Sequence, residues 1–195
     1  MRTNGAFAPG LMLNAANIPS GKRPGAYPPR TMSESTSYLR FRALEPADLD
    51  TIFGPVARQH GAAWLERQTA GEVYVAFAFL DGTPVARCGL DFVSHAHEGA
   101  AHLWAAHVEP GYQGQGIGTA MFAHLEQVAL AHGFAAIRLE VGKDNPRARA
   151  LYLRLGYAPC GEETGRWSYR DEQGATVEVV EECDVLRKRL SPASA

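Results

Sequence analysis

Two short stretches of this chain combine residue types and spacings that could do chemistry. The first, Gln113-Gly114-Gln115-Gly116-Ile117-Gly118, follows an apolar, strand-like run ending Ala106-His107-Val108-Glu109-Pro110 and opens directly into a helix. Glycines let the backbone pass close to a ligand in conformations a Cβ forbids, and free N–H groups at a helix start attract anions. The chemistry on offer is phosphate binding. The spacing is Gly-x-Gly-x-Gly rather than Gly-x-Gly-x-x-Gly, and no Gly-Lys-Ser/Thr follows, which weakens both nucleotide-fold alternatives. The second stretch runs from Asn145 to Tyr157. It reads as a self-contained short helix, with Asn145 as N-cap, Pro146 at the first helical position and Gly156 just past the end. Tyr152 lies two turns after Asn145 on the same face, where its hydroxyl could donate a proton; with no other context, a Tyr between Leu151 and Leu155 would be a packing residue.

Taken together, Gln113-x-x-Gly116-x-Gly118 and Asn145-x-x-Ala148-x-x-Leu151-Tyr152-x-x-x-Gly156-Tyr157 resemble the two acyl-CoA motifs of the GNAT superfamily of N-acetyltransferases, in an order and spacing that extend from about Leu39 to about Leu190. The resemblance implies an α/β (α+β type) fold: a twisted mixed sheet, largely antiparallel and flanked by helices, whose central strands splay apart near Val108 and Ile137 so that pantetheine can add along an exposed edge. It implies acetyl-CoA as cosubstrate. The pyrophosphate would sit on the loop Gln113, Gly114, Gln115, Gly116, Ile117, Gly118 and Thr119, Asn145 would touch the pantetheine arm, and the Val108 N–H would face the thioester carbonyl. Tyr152 becomes the candidate general acid. For the base, His102 falls where some members carry a catalytic Glu or His. On an ideal strand it shares a face with Trp104, Ala106 and Val108, whereas a bulge would bring in His107, and a water chain is the third option. Acceptor contacts are sought at Trp64, Glu66, Asp91, Trp104, Trp167 and Tyr169.

The elements that must position these groups are legible as patterns. Leu39 to Arg42 reads as a first strand. Pro46 opens a helix with Leu49, Ile52, Phe53 and Val56 on one face, and a second helical piece spans Ala62 to Gln68. Val73 to Leu80 and Pro84 to Val93 form a hairpin at Asp81-Gly82, and Ala100 to Val108 adds a third antiparallel strand. A helix with Ile117, Met121, Phe122, Leu125, Val128 and Ala129 stops at Gly133; a strand over Ala135 to Val141 and the Asn145 helix follow. Arg166 to Arg170 and Thr176 to Leu190 are expected to close the sheet as a hairpin.

The 195 residues suit one catalytic domain, 38–192. Residues 1–37, rich in Gly, Pro, Asn and Ser, are expected to be a disordered tail, against the alternatives of a transit peptide, which Pro24 to Pro29 would interrupt, or of Met32 as the true initiator. A formal net charge of −2 gives no footprint for nucleic acid or a membrane surface, and no apolar run approaches the ~20 residues of a span. Cys88, Cys160 and Cys183 lack disulfide or zinc spacing, which suits a cytoplasmic location and no metal. The acids between Glu162 and Asp184 face only Arg166 and Arg170 locally, an acidic rim that would attract a cationic amine, or a merely solvated hairpin. The expected acceptor is therefore a small cationic primary amine, with a protein or peptide amine, a longer-chain acyl enzyme and a non-catalytic acetyl-CoA sensor as alternatives. The strand carrying Val177, Val179 and Val180 would leave unpaired backbone at the sheet end, which favours a homodimer.

Overall fold

A computed structural model describes residues 38–170 and 175–191 of the chain. Seven strands, β1 (Leu39–Ala43), β2 (Val73–Leu80), β3 (Thr83–Asp91), β4 (Ala100–Val108), β5 (Ala136–Gly142), β6 (Ala158–Arg170) and β7 (Thr176–Arg189), form one sheet in the order β1-β2-β3-β4-β5-β7-β6. All neighbours are antiparallel except β4 and β5. Four helices accompany them: α1 (Asp48–Thr51), α2 (Gly54–Thr69), α3 (Ile117–Ala131) and α4 (Pro146–Arg154). This is the mixed, largely antiparallel architecture expected of the sequence.

The two faces of the sheet are covered by different helices. On one, the apolar stripe of α3 buries Ile117, Met121, Phe122, Leu125 and Ala129 against Ala101, Leu103, Ile137 and Leu139, with Tyr152 and Tyr157 from the α4 region. On the other, Trp64 of α2 packs with Phe77, Val75 and Trp104 in a smaller cluster. The indoles of Trp64 and Trp104 meet edge to face at 4.9 Å, and a Cβ on Gly89 would lie 2.4 Å from the Trp104 ring, so only glycine fits beneath it. Arg42 and Asp48 tie β1 to α1 through two hydrogen bonds of 2.6 and 2.7 Å.

Three boundaries differ from the sequence reading. The first helical region breaks at Ile52–Phe53, because Pro55 starts α2 in the first turn, where its missing N–H costs nothing. Strand β6 begins at Ala158, eight residues before the expected Arg166; Pro159, Gly161 and Gly165 disguise it, and a register shift between Pro159 and Gly161 accommodates them. The strand that ends the sheet is β6, not β7. Residues Gly142 and Cys183 close the β5–β7 ladder, so the segment with Val177, Val179 and Val180 pairs only with β6, and its open edge faces inward, toward the end of β5. The expected tail at 1–37 and the turn at Asp171–Gly174 lie outside the described residues, and no described helix is long and apolar enough to cross a membrane.

Candidate active site

Strands β4 and β5 pair only from Ala100–Ala136 to Leu103–Leu139. Beyond that point they diverge, leaving the β4 edge from Trp104 to Val108 without a strand on that side. A bulge shapes this segment: Arg87 opposes His107 and Gly89 opposes Trp104, so the single residue Cys88 faces both Ala105 and Ala106. Ala105 takes up the extra length at φ 53°, a left-handed conformation rarely adopted by residues with a Cβ. The bulge reverses the alternation. Ala106 and Val108 join the α3 side, whereas His107 lines a pocket with Ile52 and Phe77 on the α2 side, the side of Trp104. The ideal-strand expectation that His102, Trp104, Ala106 and Val108 share a face is corrected here for its second half.

The backbone of Val108 has a definite direction. Glu109 N–H donates to the Val85 carbonyl at 2.9 Å, which makes Val108 and Ala86 a non-hydrogen-bonded antiparallel pair. Val108 therefore turns its N–H and C=O away from β3 into the gap, and its carbonyl accepts the Gln113 side chain at 3.0 Å. Gln113 thus braces the glycine loop against the strand, and Gln115 Nε2 donates to the Gly111 carbonyl at 3.1 Å. Gly114 and Gly116 hold φ of 79° and 81°, with Gly116 as N-cap of α3. From Gly114 to Thr119 no amide donates to an acceptor among the described residues, and a Cβ on Gly114 or Gly116 would meet nothing within 4 Å. These amides at a helix start are suited to a pyrophosphate. A Cβ on Gly118 would come within 3.5 Å of Leu151 and 3.8 Å of Val108, so this glycine sits where α3, α4 and β4 converge.

Across the gap, Asn145 Oδ1 accepts the Ala148 N–H at 3.1 Å, the expected cap. Tyr152 is buried, its ring 5.2 Å from Phe122 and 6.3 Å from Tyr157. Its hydroxyl makes no hydrogen bond to a described residue, and burial raises its pKa, so it stays protonated.

His102 points to the other side of the fork. Its Nε2 lies 2.5 Å from Glu140 Oε2, and Glu140 also accepts from Arg138 Nε at 2.9 Å. Burial opposes ionisation of Glu140, but the His102 hydrogen bond and the Arg138 guanidinium prevail and hold its pKa below the ordinary value. An ionised Glu140 can only accept, so His102 Nε2 carries the proton of this contact. Glu140 was missed in the sequence; its one signal is that Arg138 and Glu140 interrupt the apolar run of this strand at alternate positions.

The other candidates are placed less centrally. Trp64 and Trp104, 7% and 8% exposed, are packed in the α2-side cluster. Asp91 is buried and accepts from Arg67 and from the amides of Val93 and Ser94, so it secures the end of β3. Trp167 falls in β6, its side chain outside the described part of the structure. The acidic rim is answered by cations from other elements: Glu162 pairs with Lys143 at 2.5 Å, Glu163 with Arg138 at 2.6 Å and Asp184 with Arg149 at 2.6 Å. Sequence distance had hidden those partners.

Comparison with known proteins agrees with this arrangement. The profile of the Acetyltransferase (GNAT) family matches residues 41–157. The [Ribosomal protein bS18]-alanine N-acetyltransferase of Escherichia coli strain K12 is 33% identical over 130 residues, covering 65% of this chain and 84% of that protein. Among solved structures, an N-acetyltransferase from Staphylococcus aureus Mu50 superposes with a TM-score of 0.64 at 14% identity, over 80% of this chain and all of that one. A putative acetyltransferase from Salmonella typhimurium, solved with its cofactor acetyl-CoA, reaches 0.61 at 15% identity, over 80% of this chain and 96% of that one.

Proposed function

The chain belongs to the GNAT family of acetyltransferases and is an acetyl-CoA-dependent N-acetyltransferase, and from that premise we propose that its acceptor is the α-amine of a peptide or protein N-terminus, attacked in one step by direct transfer. When bound, acetyl-CoA supplies an activated acetyl thioester. The amides of Gly114 to Thr119 hold its pyrophosphate, and the open β4 edge takes the pantetheine as an added strand. The N–H group of Val108, aimed into the gap, stabilises the developing oxyanion; such a donor is worth about 3–4 kcal/mol of barrier. His102, oriented by Glu140, receives the ammonium proton through water, and Tyr152 protonates the departing thiolate.

The observation that carries the acceptor reading is the charge on the α2 side of the fork. The pocket beside His107 is lined by Arg87 as well as Glu109, and three of the rim acids, Glu162, Glu163 and Asp184, already have partners in Lys143, Arg138 and Arg149. Such a surface gives a small polycation little to hold. The likeness to a ribosomal-protein-alanine acetyltransferase supports the same direction. The test is thiol release from acetyl-CoA with free-N-terminus peptides, the same peptides blocked at the α-amine but carrying lysine, and spermidine. Turnover should follow the free α-amine; preferential turnover of spermidine would reject the proposal.

A further inference from the structure

Phe77 of β2, Arg87 of β3 and His107 of β4 are direct cross-strand neighbours, one row past the bulge. Arg87 is anomalous in that row. Its Nε is buried without a hydrogen-bond partner, and its guanidinium forms no ion pair with a described residue. Other half-buried arginines of this sheet and its helices are each matched to carboxylates: Arg42 to Asp48, Arg67 to Asp91, Arg138 to Glu140 and Glu163. Burial pushes the Arg87 pKa down and Glu109 only partly offsets it, while Glu109 itself lies 3.3 Å from His107 Nε2. A buried guanidinium that a neighbouring carboxylate compensates only in part gains from a further anion.

The space beside it is ready for one. A pocket of about 130 Å³ is lined by Ile52, Phe77, Pro84, Arg87, His107 and Glu109. That is roughly four waters' share of liquid volume, enough for a short side chain and not for a large one. His107 adjoins Val108, whose amide faces the gap, so on the N-acetyltransferase reading a group in this pocket would lie next to the attacking amine.

We propose that Arg87 is a specificity-determining residue whose guanidinium binds a carboxylate carried by the acceptor close to its amine, from the side chain of an N-terminal Asp or Glu of a peptide or from the α-carboxylate of a free amino acid. The proposal rests on the N-acetyltransferase reading of the fork and adds the chemistry of the acceptor. A guanidinium suits this role because its planar fork meets a carboxylate with two parallel hydrogen bonds. The Phe77 and Pro84 walls exclude water and strengthen the pairing.

The experiment uses the full chain and its Arg87→Met and Arg87→Lys variants. Values of kcat/KM are measured for peptides differing only in the first residue, Asp against Asn, Glu against Gln, and for free aspartate against its α-amide. The wild type should favour the acid over the amide by tenfold or more. The ratio should collapse toward one in Arg87→Met and recover in part in Arg87→Lys. Preference among peptides assigns the carboxylate to a side chain, and preference for free aspartate over its α-amide assigns it to an amino acid. A ratio near one in the wild type, or one unaltered in Arg87→Met, overturns the proposal. Calorimetry of the N-acetylated Asp and Asn peptides with CoA present gives a second readout that needs no turnover. Equal affinity for the two there overturns the Arg87 role, whereas absence of thiol release with every amine, alongside Arg87-dependent binding, counts against the function reading alone.

Discussion

Replacing Tyr152 by Phe isolates one step of the mechanism. The ring of Tyr152 stacks among Phe122 and Tyr157 at 5.2 and 6.3 Å, and Phe keeps those contacts. The hydroxyl makes no hydrogen bond to a described residue, so its removal strands no partner and should alter stability by less than about 1 kcal/mol. Loss of a general acid removes about 10²–10⁴ in rate, which at 1.36 kcal/mol per tenfold is about 3–5 kcal/mol of barrier. Burial raises the Tyr152 pKa, so the proton is present across neutral and mildly alkaline pH and the loss should be uniform there. The assay is single-turnover thiol release with saturating substrates, which removes product release from the measurement, paired with calorimetry of acetyl-CoA. The expected pattern is a turnover fall of at least a hundredfold, acetyl-CoA affinity within about threefold and an unfolding temperature within a few degrees. Turnover within threefold of wild type would refute the assignment and leave Tyr152 as a packing residue.

Two further outcomes follow from local geometry. For Gly116→Val, the backbone at φ 81° costs about 1–2 kcal/mol with any Cβ, yet the new Cβ meets no protein atom within 4 Å, so the fold should survive while acetyl-CoA affinity drops at least tenfold in calorimetry; unchanged affinity would remove the loop from the site. Asp48→Ala deletes the acceptor of two Arg42 bonds and of the Glu45 N–H at 2.8 Å, and should cost about 2–3 kcal/mol in urea unfolding at neutral pH. The Arg42 hydrogen bond holds the Asp48 pKa below its ordinary value, so this stability is present above about pH 3.9, the unfolded carboxylate value, and is lost as pH falls through the lower folded value. A wild-type advantage that persists undiminished at pH 2 would contradict that linkage.

What the sequence made legible is what local spacing encodes. The glycine loop, the Asn145 cap and the α3 stripe are each written within a dozen residues, and the structure places them as their periodicity required. Non-local pairings were opaque. Nothing near Arg87 signals that its Nε would be buried without a hydrogen-bond partner, and nothing near Glu162 or Glu163 signals Lys143 or Arg138, because those neighbours arrive through strand order. Trp64 and Trp104 looked like acceptor aromatics when counted by type, but indoles that meet edge to face over Gly89 are core. The β6 start was masked for a different reason: Pro159, Gly161 and Gly165 carry turn chemistry, and tertiary pairing with β7 outweighs that local preference.

The bulge at Ala105 joins these observations into one mechanism. A strand that continued in register would keep Trp104, Ala106 and Val108 on one face and could carry its ladder with β5 past Leu103. The extra residue instead sends His107 to the α2 side and leaves the Val108 amide directed into the widening gap. The left-handed Ala105 costs of order 1 kcal/mol or more, and the neighbouring core must over-determine it. That support is visible: Cys88 Sγ lies 3.4 Å from the Trp104 carbonyl just before the bulge, and the Trp104 ring is pinned over Gly89 just across from it. At the floor of the fork, where β4–β5 pairing ends, the His102–Glu140 contact joins the two strands by side chains in place of backbone bonds. The open β4 edge and the His102–Glu140 contact thus lie at the same interruption in strand pairing.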